Sequence, residues 1–243
     1  VIAQYVSAAG MLVYVLAKCK SLLPKCSELH LNRSILGEIF RLSSLTCAQQ
    51  SVMNFGILMV QGLVNSFGAT VMAAFAAAVK IDTFAYLPVQ DFGNAYSTFA
   101  AQNFGAKRTD RIREGTRRAF LLSAGFGAAL SIAVCALAAP LMRLFVDSGE
   151  TAVVAAGVRY LRIEGALYAG IGCLFLFYGY FRAVQRPGVS VVLTAISLGT
   201  RVLLAYLLSA LWGETGIWLS IPIGWVLADL AGLWFMKARP LRV

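Results

Sequence analysis

Ionisable side chains lie inside several long apolar segments of this sequence, at Lys80, Asp82, Asp91, Glu164, Arg201 and Asp229. At the centre of a bilayer a charged side chain costs about 2.5 to 3.5 kcal/mol even on lenient insertion scales, so residues in such positions are functional candidates by default. Carboxylates can bind a proton or a cation, and Lys80 or Arg201 can supply a counter-charge. These residue types favour the binding of ions or charged solutes.

The region around Pro88 holds two opposed charged positions. With 3.6 residues per helical turn, one stripe carries Lys80, Phe84, Leu87, Asp91 and Asn94. Asp82 points almost oppositely to Lys80, so the two need separate partners. Pro88 leaves the carbonyl of Phe84 without its helical donor, which predicts a bend and a free acceptor nearby. Pairing with neighbouring helices for assembly alone is an equally good interpretation.

Two further groups of residues share a helix face. One is a polar stripe made of Gln50, Asn54, Gln61 and Asn65. A lipid-facing helix would not carry that stripe, so we expect it to face protein or a cavity, and interhelical hydrogen bonding alone would explain it. The second group places Glu164 on a face with Tyr160, Tyr168, Phe175 and Tyr178. A carboxylate among aromatic rings suits an organic cation, although interfacial belts explain Tyr160 and Tyr178 equally well.

Arg201 is the remaining candidate for charge pairing. It aligns with Thr194 and Ser197 on one face of its segment. Arg201 could pair with Glu164 or Asp229, and for this group a structural role is preferred to a functional one.

The sequence contains no set of residues that matches an enzyme active site or a metal site. There is no Gly-rich phosphate loop followed by Lys and Ser or Thr, and no nucleophile elbow. His30 is the only histidine, and the five cysteines have no CxxC spacing, which argues against a zinc site and a disulfide framework. We expect no enzyme, no metal and no cofactor.

The apolar segments must position these residues, and they predict the fold class. Hydrophobic residues make up 59% of the chain and charged residues 13%, against roughly a quarter charged in soluble domains. The apolar blocks are about 20 residues long, as a helix crossing a ~30 Å hydrocarbon core requires. The predicted fold is all-α, a polytopic transmembrane helical bundle with six complete spans near residues 43–67, 69–104, 119–141, 153–181, 189–211 and 215–235.

Four regions are predicted along the chain. Residues 1–17 are apolar but too short for a full span, so we expect the end of a transmembrane helix whose beginning is missing. Residues 18–42 form a basic linker with an amphipathic part suited to the membrane surface. Residues 43–236 form the six-helix lobe, and residues 237–243 form a tail.

The placement of basic residues decides between nucleic acid and membrane. A net charge of +10 would suggest nucleic acid in a soluble protein, but the basic residues lie in alternate loops, and the strongest cluster consists of Lys107, Arg108, Arg111, Arg113, Arg117 and Arg118. Basic loops stay in the cytoplasm. We therefore expect a lipid bilayer as partner and no nucleic acid. We also expect the linker, the basic cluster from Lys107 to Arg118, the turn at Arg186 and the C-terminus to lie in the cytoplasm.

Several motifs resemble one membrane protein family. The run AVKIDTFAYLP at residues 78–88, followed by AQNFGAK at 101–107, resembles the eighth helix and following turn of bacterial multidrug and toxin extrusion (MATE) transporters. GTRV at 199–202, GIWL at 216–219 and PIGW at 222–225 are similar to the last two helices of that family. The resemblance covers nearly the whole chain, and the order and spacing of the motifs are specific.

The resemblance implies an antiporter of two six-helix lobes in the plasma (inner) membrane of a bacterium. Such transporters export small organic cations in exchange for H⁺ or Na⁺ by alternating access. This chain would supply the C-terminal lobe, with the missing N-terminal lobe as its partner. Many members carry an acid in helix seven, where this chain has Gln49 or Gln50. Many also carry an acid in helix ten, at a position near Ile171 of this chain, and neither acid is matched here.

The candidate residues for substrate or coupling-ion binding rest on their own chemistry rather than on the family. They are Gln50, Asn54, Gln61, Lys80, Asp82, Asp91, Glu164, Tyr168 and Arg201. Two alternatives to the antiporter remain open. A lipid-linked saccharide flippase of the same superfamily would need a larger cationic cavity, and a non-transporting membrane scaffold would pack these residues against neighbours without any cavity.

Overall fold

The computed structural model describes residues 2–18, 32–147 and 149–238, and the regular elements of these residues are helices. Eight helices follow one another: α1 (Ile2–Lys18), α2 (Arg33–Asn65), α3 (Ala69–Gly105), α4 (Thr109–Arg143), α5 (Thr151–Gly165), α6 (Tyr168–Ala183), α7 (Pro187–Trp212) and α8 (Glu214–Ala238). The predicted all-α class is confirmed by this element order.

Backbone contacts divide the chain into two compact units, Val1–Ser43 and Ser44–Val243. The smaller unit holds α1 and the first turns of α2, and the larger unit holds all the candidate site residues. Much of the predicted basic linker, including His30, lies outside the described residues, as do residues 239–243 of the predicted tail. The rest of that linker, from Arg33, belongs to α2, which continues without a break through residue 43.

Four helices are long and apolar enough to cross a membrane by themselves: α3, α4, α7 and α8. The pair α5 and α6 passes the same test as one span bent by 51°. Within the described ranges this makes up to five spans, and α2 is not among them because its glutamines and asparagines lower its hydropathy. The chain is a multi-pass membrane protein.

The predicted span at 153–181 corresponds to the pair α5 and α6, but it is bent, because the helix breaks between Gly165 and Tyr168. Glycine is a poor residue for a helix interior, which weakens the chain at this point. Gly127 of α4 then allows the start of α6 to come very close, since a Cβ at residue 127 would lie 2.7 Å from the Cα of Ala169. The bend is therefore held by packing against α4.

The core of the larger unit is centred on α6, which packs against α3, α4, α7 and α8. An aromatic cluster joins α3, α5 and α8. Trp218 of α8 is fully buried, stacks on Phe75 of α3 at 5.4 Å and meets Tyr160 of α5 edge-on at 5.0 Å. Such pairs add about 0.5 to 1.5 kcal/mol each beyond the burial of their surface. This cluster holds α3 and α5 together beside the site.

Helices α7 and α8 form an antiparallel pair with very close backbones. A Cβ on Gly224 would lie only 2.5 Å from the carbonyl oxygen of Ser197. We therefore expect Gly224→Ala to destabilise the protein by about 1 to 3 kcal/mol through overpacking. Thermal unfolding of the full-length protein in detergent measures this loss.

The matched control is Gly199→Ala on α7, where a Cβ would meet no atom within 4 Å. Alanine is favoured over glycine in a helix by roughly 0.5 to 1 kcal/mol, so this variant should be neutral or slightly stabilised. Equal unfolding temperatures for the two variants would contradict the close approach of α7 and α8.

Candidate functional site

A cavity of about 230 Å³ opens inside the larger unit, where α2, α3, α5, α6, α7 and α8 approach one another. Its wall combines apolar and aromatic side chains with a few polar ones. The polar and charged members are Gln61, Asp82, Thr83, Gln90, Glu164, Ser197 and Arg201, and the phenols are Tyr86, Tyr160, Tyr168 and Tyr178. Five of the nine predicted site residues therefore line one cavity.

Asp82 is held at the cavity by α3. Its helical neighbours Ala78, Ile81 and Ala85 are buried, so Asp82 lies on the inner face of α3 with only 7% of its surface exposed. The hydroxyl of Tyr168 donates a hydrogen bond of 2.6 Å to Asp82 Oδ1. Because Tyr168 is the first residue of α6, the break between α5 and α6 directs this phenol toward α3.

Glu164 lies in the last turn of α5 and is 3% exposed. Tyr160, one turn earlier on the same helix, lines the same cavity. The carboxyl oxygen Oε2 of Glu164 is buried without a hydrogen-bond partner in the described chain. A buried polar atom without a partner costs about 1 to 3 kcal/mol, so Glu164 Oε2 is well placed to accept a proton or a cation.

Arg201 brings a permanent positive charge to the same cavity from α7. It acts electrostatically on both Asp82 and Glu164. The Nε of Arg201 is buried and has no hydrogen-bond partner among the residues that the structure describes. Two carboxyl groups thus face one guanidinium across a cavity.

An ion pair of Arg201 with Glu164 or Asp229, which the sequence allows, is not formed. Oε2 of Glu164 and Oδ1 of Asp229 have no partner within the described ranges, and Arg201 and Glu164 line the cavity instead of closing it. Asp229 does not line the cavity, and its carboxyl group lies beside Gly170 of α6.

The structure does not bring the other four predicted residues to the cavity. Gln50 and Asn54 of α2 are exposed, as are Lys80 and Asp91 of α3. The prediction that the polar stripe of α2 faces protein or a cavity holds for Gln61, which lines the cavity and donates a hydrogen bond of 3.0 Å to Asn65.

Several residues at the site were missed by reasoning on the sequence. Tyr86 and Gln90 line the cavity and follow Asp82 at intervals of four residues on α3. That spacing is a signal for one helix face that is visible in the sequence. Gln49, adjacent to the predicted Gln50, donates a hydrogen bond of 2.9 Å to Thr194 and so links α2 to α7. The described residues contain no cluster of metal-binding side chains.

The phenol of Tyr168 offers a test of the geometry at Asp82. We expect Tyr168→Phe to lower the free energy of unfolding by roughly 1.5 to 3 kcal/mol, the usual contribution of a hydrogen bond to a charged group, because the ring stays and only the donor is lost. Thermal unfolding in detergent measures the change. Tyr206→Phe is the control, since Tyr206 is exposed on α7, and an equal loss in both variants would contradict the Asp82 contact.

Comparison with known proteins identifies the family. The MatE family model matches residues 45–207. Among curated proteins, the chain is 27% identical over 190 residues to the probable multidrug resistance protein YpnP of Bacillus subtilis, covering 78% of this chain and 42% of YpnP. It is also 27% identical over 161 residues to the FAD transporter of Shewanella oneidensis, covering 66% of this chain and 35% of that protein.

Solved structures show the same fold. The MATE transporter VcmN of Vibrio cholerae superposes with a TM-score of 0.86 at 19% identity, covering 96% of this chain and 54% of VcmN. The chain thus spans about half the length of the relatives it matches. Members of this family are transporters, which confirms the expectation that the protein is not an enzyme. Because the family model covers more than half of its residues, this multi-pass membrane protein belongs to the MatE family.

Proposed function

We propose that this chain forms the C-terminal lobe of a secondary active antiporter that exports small organic cations in exchange for H⁺ or Na⁺. The observation that supports this proposal is the pair of buried carboxyl groups, Asp82 and Glu164, facing one cavity together with Arg201. Buried carboxyl groups inside a membrane protein mark ion or proton pathways. In this proposal the bacterial inner membrane holds the protein, with the C-terminus in the cytoplasm.

The size of the cavity decides which ligand it suits. Its volume of about 230 Å³ is below the roughly 300 to 1,000 Å³ of pockets that bind drug-sized molecules. The cavity suits a proton or a small cation with a few waters. We therefore assign it to the coupling ion, and in this proposal the organic cation binds between this lobe and the missing N-terminal lobe.

Ion binding in the cavity can drive transport only through a difference in affinity between two states of the protein. A proton or Na⁺ that neutralises Glu164 or Asp82 removes a buried charge, and the state that buries these groups more deeply gains most from this change. Tyr160 and Tyr168, which line the cavity with Glu164, belong to α5 and α6. Occupancy of the cavity would thereby bias the position of the bent α5 and α6 pair.

The proposal is tested with the full-length protein in liposomes. Efflux of a fluorescent organic cation is recorded under an imposed pH gradient, an imposed Na⁺ gradient or neither. We expect one of the two gradients to accelerate efflux. An efflux rate that is the same with and without each gradient, or no transport of any cation tested, would overturn the proposal.

A second candidate is the transport of an anionic solute, favoured by the buried Nε of Arg201, which has no hydrogen-bond partner among the described residues. The similarity to a FAD transporter supports it. Against it, the cavity places two carboxyl groups beside that one guanidinium, which also disfavours a saccharide flippase with a large cationic cavity. The presence of the cavity disfavours the membrane scaffold. Gradient-driven efflux of FAD from the same liposomes, without efflux of any organic cation, would favour the anionic substrate.

A further inference from the structure

A second cavity, of about 530 Å³, lies between α3 and α4 and shares no residue with the polar cavity. One wall belongs to α3 and presents Phe92, Tyr96 and Phe99. The opposite wall belongs to α4 and includes Arg111, Arg118 and Leu122. We call this cavity the α3–α4 groove.

The α3–α4 groove changes from basic to apolar along its length. Arg111 lies in the first turns of α4, close to the connection with α3, and Leu122 lies 11 residues further along. At 1.5 Å per residue these two side chains are separated by roughly 16 Å along the helix axis. The basic end of the groove therefore lies where two membrane spans end, and its apolar end lies deeper in the span.

The two walls of the α3–α4 groove are joined by a buried contact. The hydroxyl groups of Tyr96 on α3 and Thr116 on α4 lie 2.6 Å apart, and both residues are buried. Thr116 also donates a hydrogen bond of 2.6 Å to the carbonyl of Ile112 on α4. The groove is thus formed by helices already held in place.

The charge of the basic end favours an anion. Six basic and two acidic residues lie between positions 107 and 118. One of the acids, Glu114, lines the groove and forms an ion pair with Arg118, which lowers the net positive charge there but also restrains the Arg118 side chain. Guanidinium groups bind phosphate through two parallel hydrogen bonds. Arg111 is exposed and available for such a contact.

We propose that the α3–α4 groove binds an anionic phospholipid from the leaflet beside the α3–α4 connection. Its phosphate contacts Arg111 and Arg118, and one acyl chain lies against Phe92 and Leu122. Basic pockets between membrane helices are suited to acidic headgroups. A soluble phosphate would leave the apolar end of the groove unused, so a lipid matches both ends. This site is independent of the proposed coupling site.

The test compares lipids on the purified full-length protein. Phosphatidylglycerol, phosphatidylcholine and inorganic phosphate are titrated separately, and binding is followed by the shift in unfolding temperature. We expect phosphatidylglycerol to stabilise the wild type more than phosphatidylcholine does. We expect the double variant Arg111→Gln with Arg118→Gln to weaken phosphatidylglycerol binding by about 30-fold, since each arginine near the surface contributes roughly fivefold.

Arg143→Gln is the matched control, because Arg143 is an exposed arginine at the other end of α4. This variant should bind phosphatidylglycerol as the wild type does. Equal stabilisation by the two lipids, an equal loss in the control, or full stabilisation by inorganic phosphate would each overturn the proposal. All three substituted arginines are exposed, so the variants should fold normally.

Discussion

Replacing Glu164 by Gln in the full-length protein is expected to lower gradient-driven efflux of a fluorescent organic cation by about tenfold or more. Coupling between two ligands corresponds to roughly 5- to 150-fold changes in affinity, and this variant removes the titratable group while keeping its size. Glu164 is almost fully buried and Oε2 has no partner. The amide cannot exchange a proton or neutralise a cation, so the gradient should no longer drive efflux.

The companion variant Asp82→Asn should act in the same direction, because Asp82 lines the same cavity. Glu150→Gln is the control, since Glu150 is an exposed carboxylate just before α5, and it should transport normally. Efflux is compared at equal protein abundance in liposomes. Normal efflux in both cavity variants would return these acids to a structural role and move the coupling site to the other lobe.

Replacing Arg201 by Gln is expected to raise the affinity of the protein for Na⁺ on the order of tenfold. The Arg201 charge acts on both carboxyl groups of the cavity and competes with any mobile cation. At an effective dielectric constant near 20, two charges 4 Å apart interact by about 4 kcal/mol. Arg201 forms no ion pair with these carboxyl groups at that distance, so its effect on the affinity for Na⁺ is smaller, on the order of tenfold.

Tryptophan fluorescence can follow this titration, because Trp225 lines the cavity. NaCl is titrated against choline chloride at constant ionic strength. Arg162→Gln is the control, since Arg162 is an exposed arginine on α5, and it should leave Na⁺ affinity unchanged. An unchanged or lower Na⁺ affinity in the Arg201 variant would contradict the role of a built-in competing cation.

The features that the sequence predicts correctly are those that depend on local interactions. Blocks of about 20 apolar residues require helices, because a backbone in hydrocarbon must satisfy its hydrogen bonds within each segment. The all-α class therefore followed from residue order, whereas the family was indicated by the resemblance of motifs such as those at residues 78–88 and 101–107. The choice of Asp82, Glu164, Tyr168 and Arg201 as candidates also followed from local chemistry, since ionisable groups in apolar segments are costly.

Tertiary packing decided which of these candidates meet. Tyr168 and Asp82 are 86 residues apart, and no periodicity within one helix predicts a contact between two. The same limit applies to Lys80 and Asp91, whose stripe was as plausible as that of Asp82 but faces outward. The rotation of α3 about its axis, set by its small buried residues such as Ala78 and Ala85, selects the inner stripe.

The break between α5 and α6 shows most clearly which features the sequence determined and which the tertiary packing decided. The sequence by itself determined an apolar segment long enough for a membrane span and a glycine at residue 165. Only the tertiary structure turned that segment into two helices bent by 51°, because Gly127 of α4 lets the start of α6 pack closely there. That bend directs Tyr168 to Asp82, so the site depends on contacts between helices that no single segment encodes.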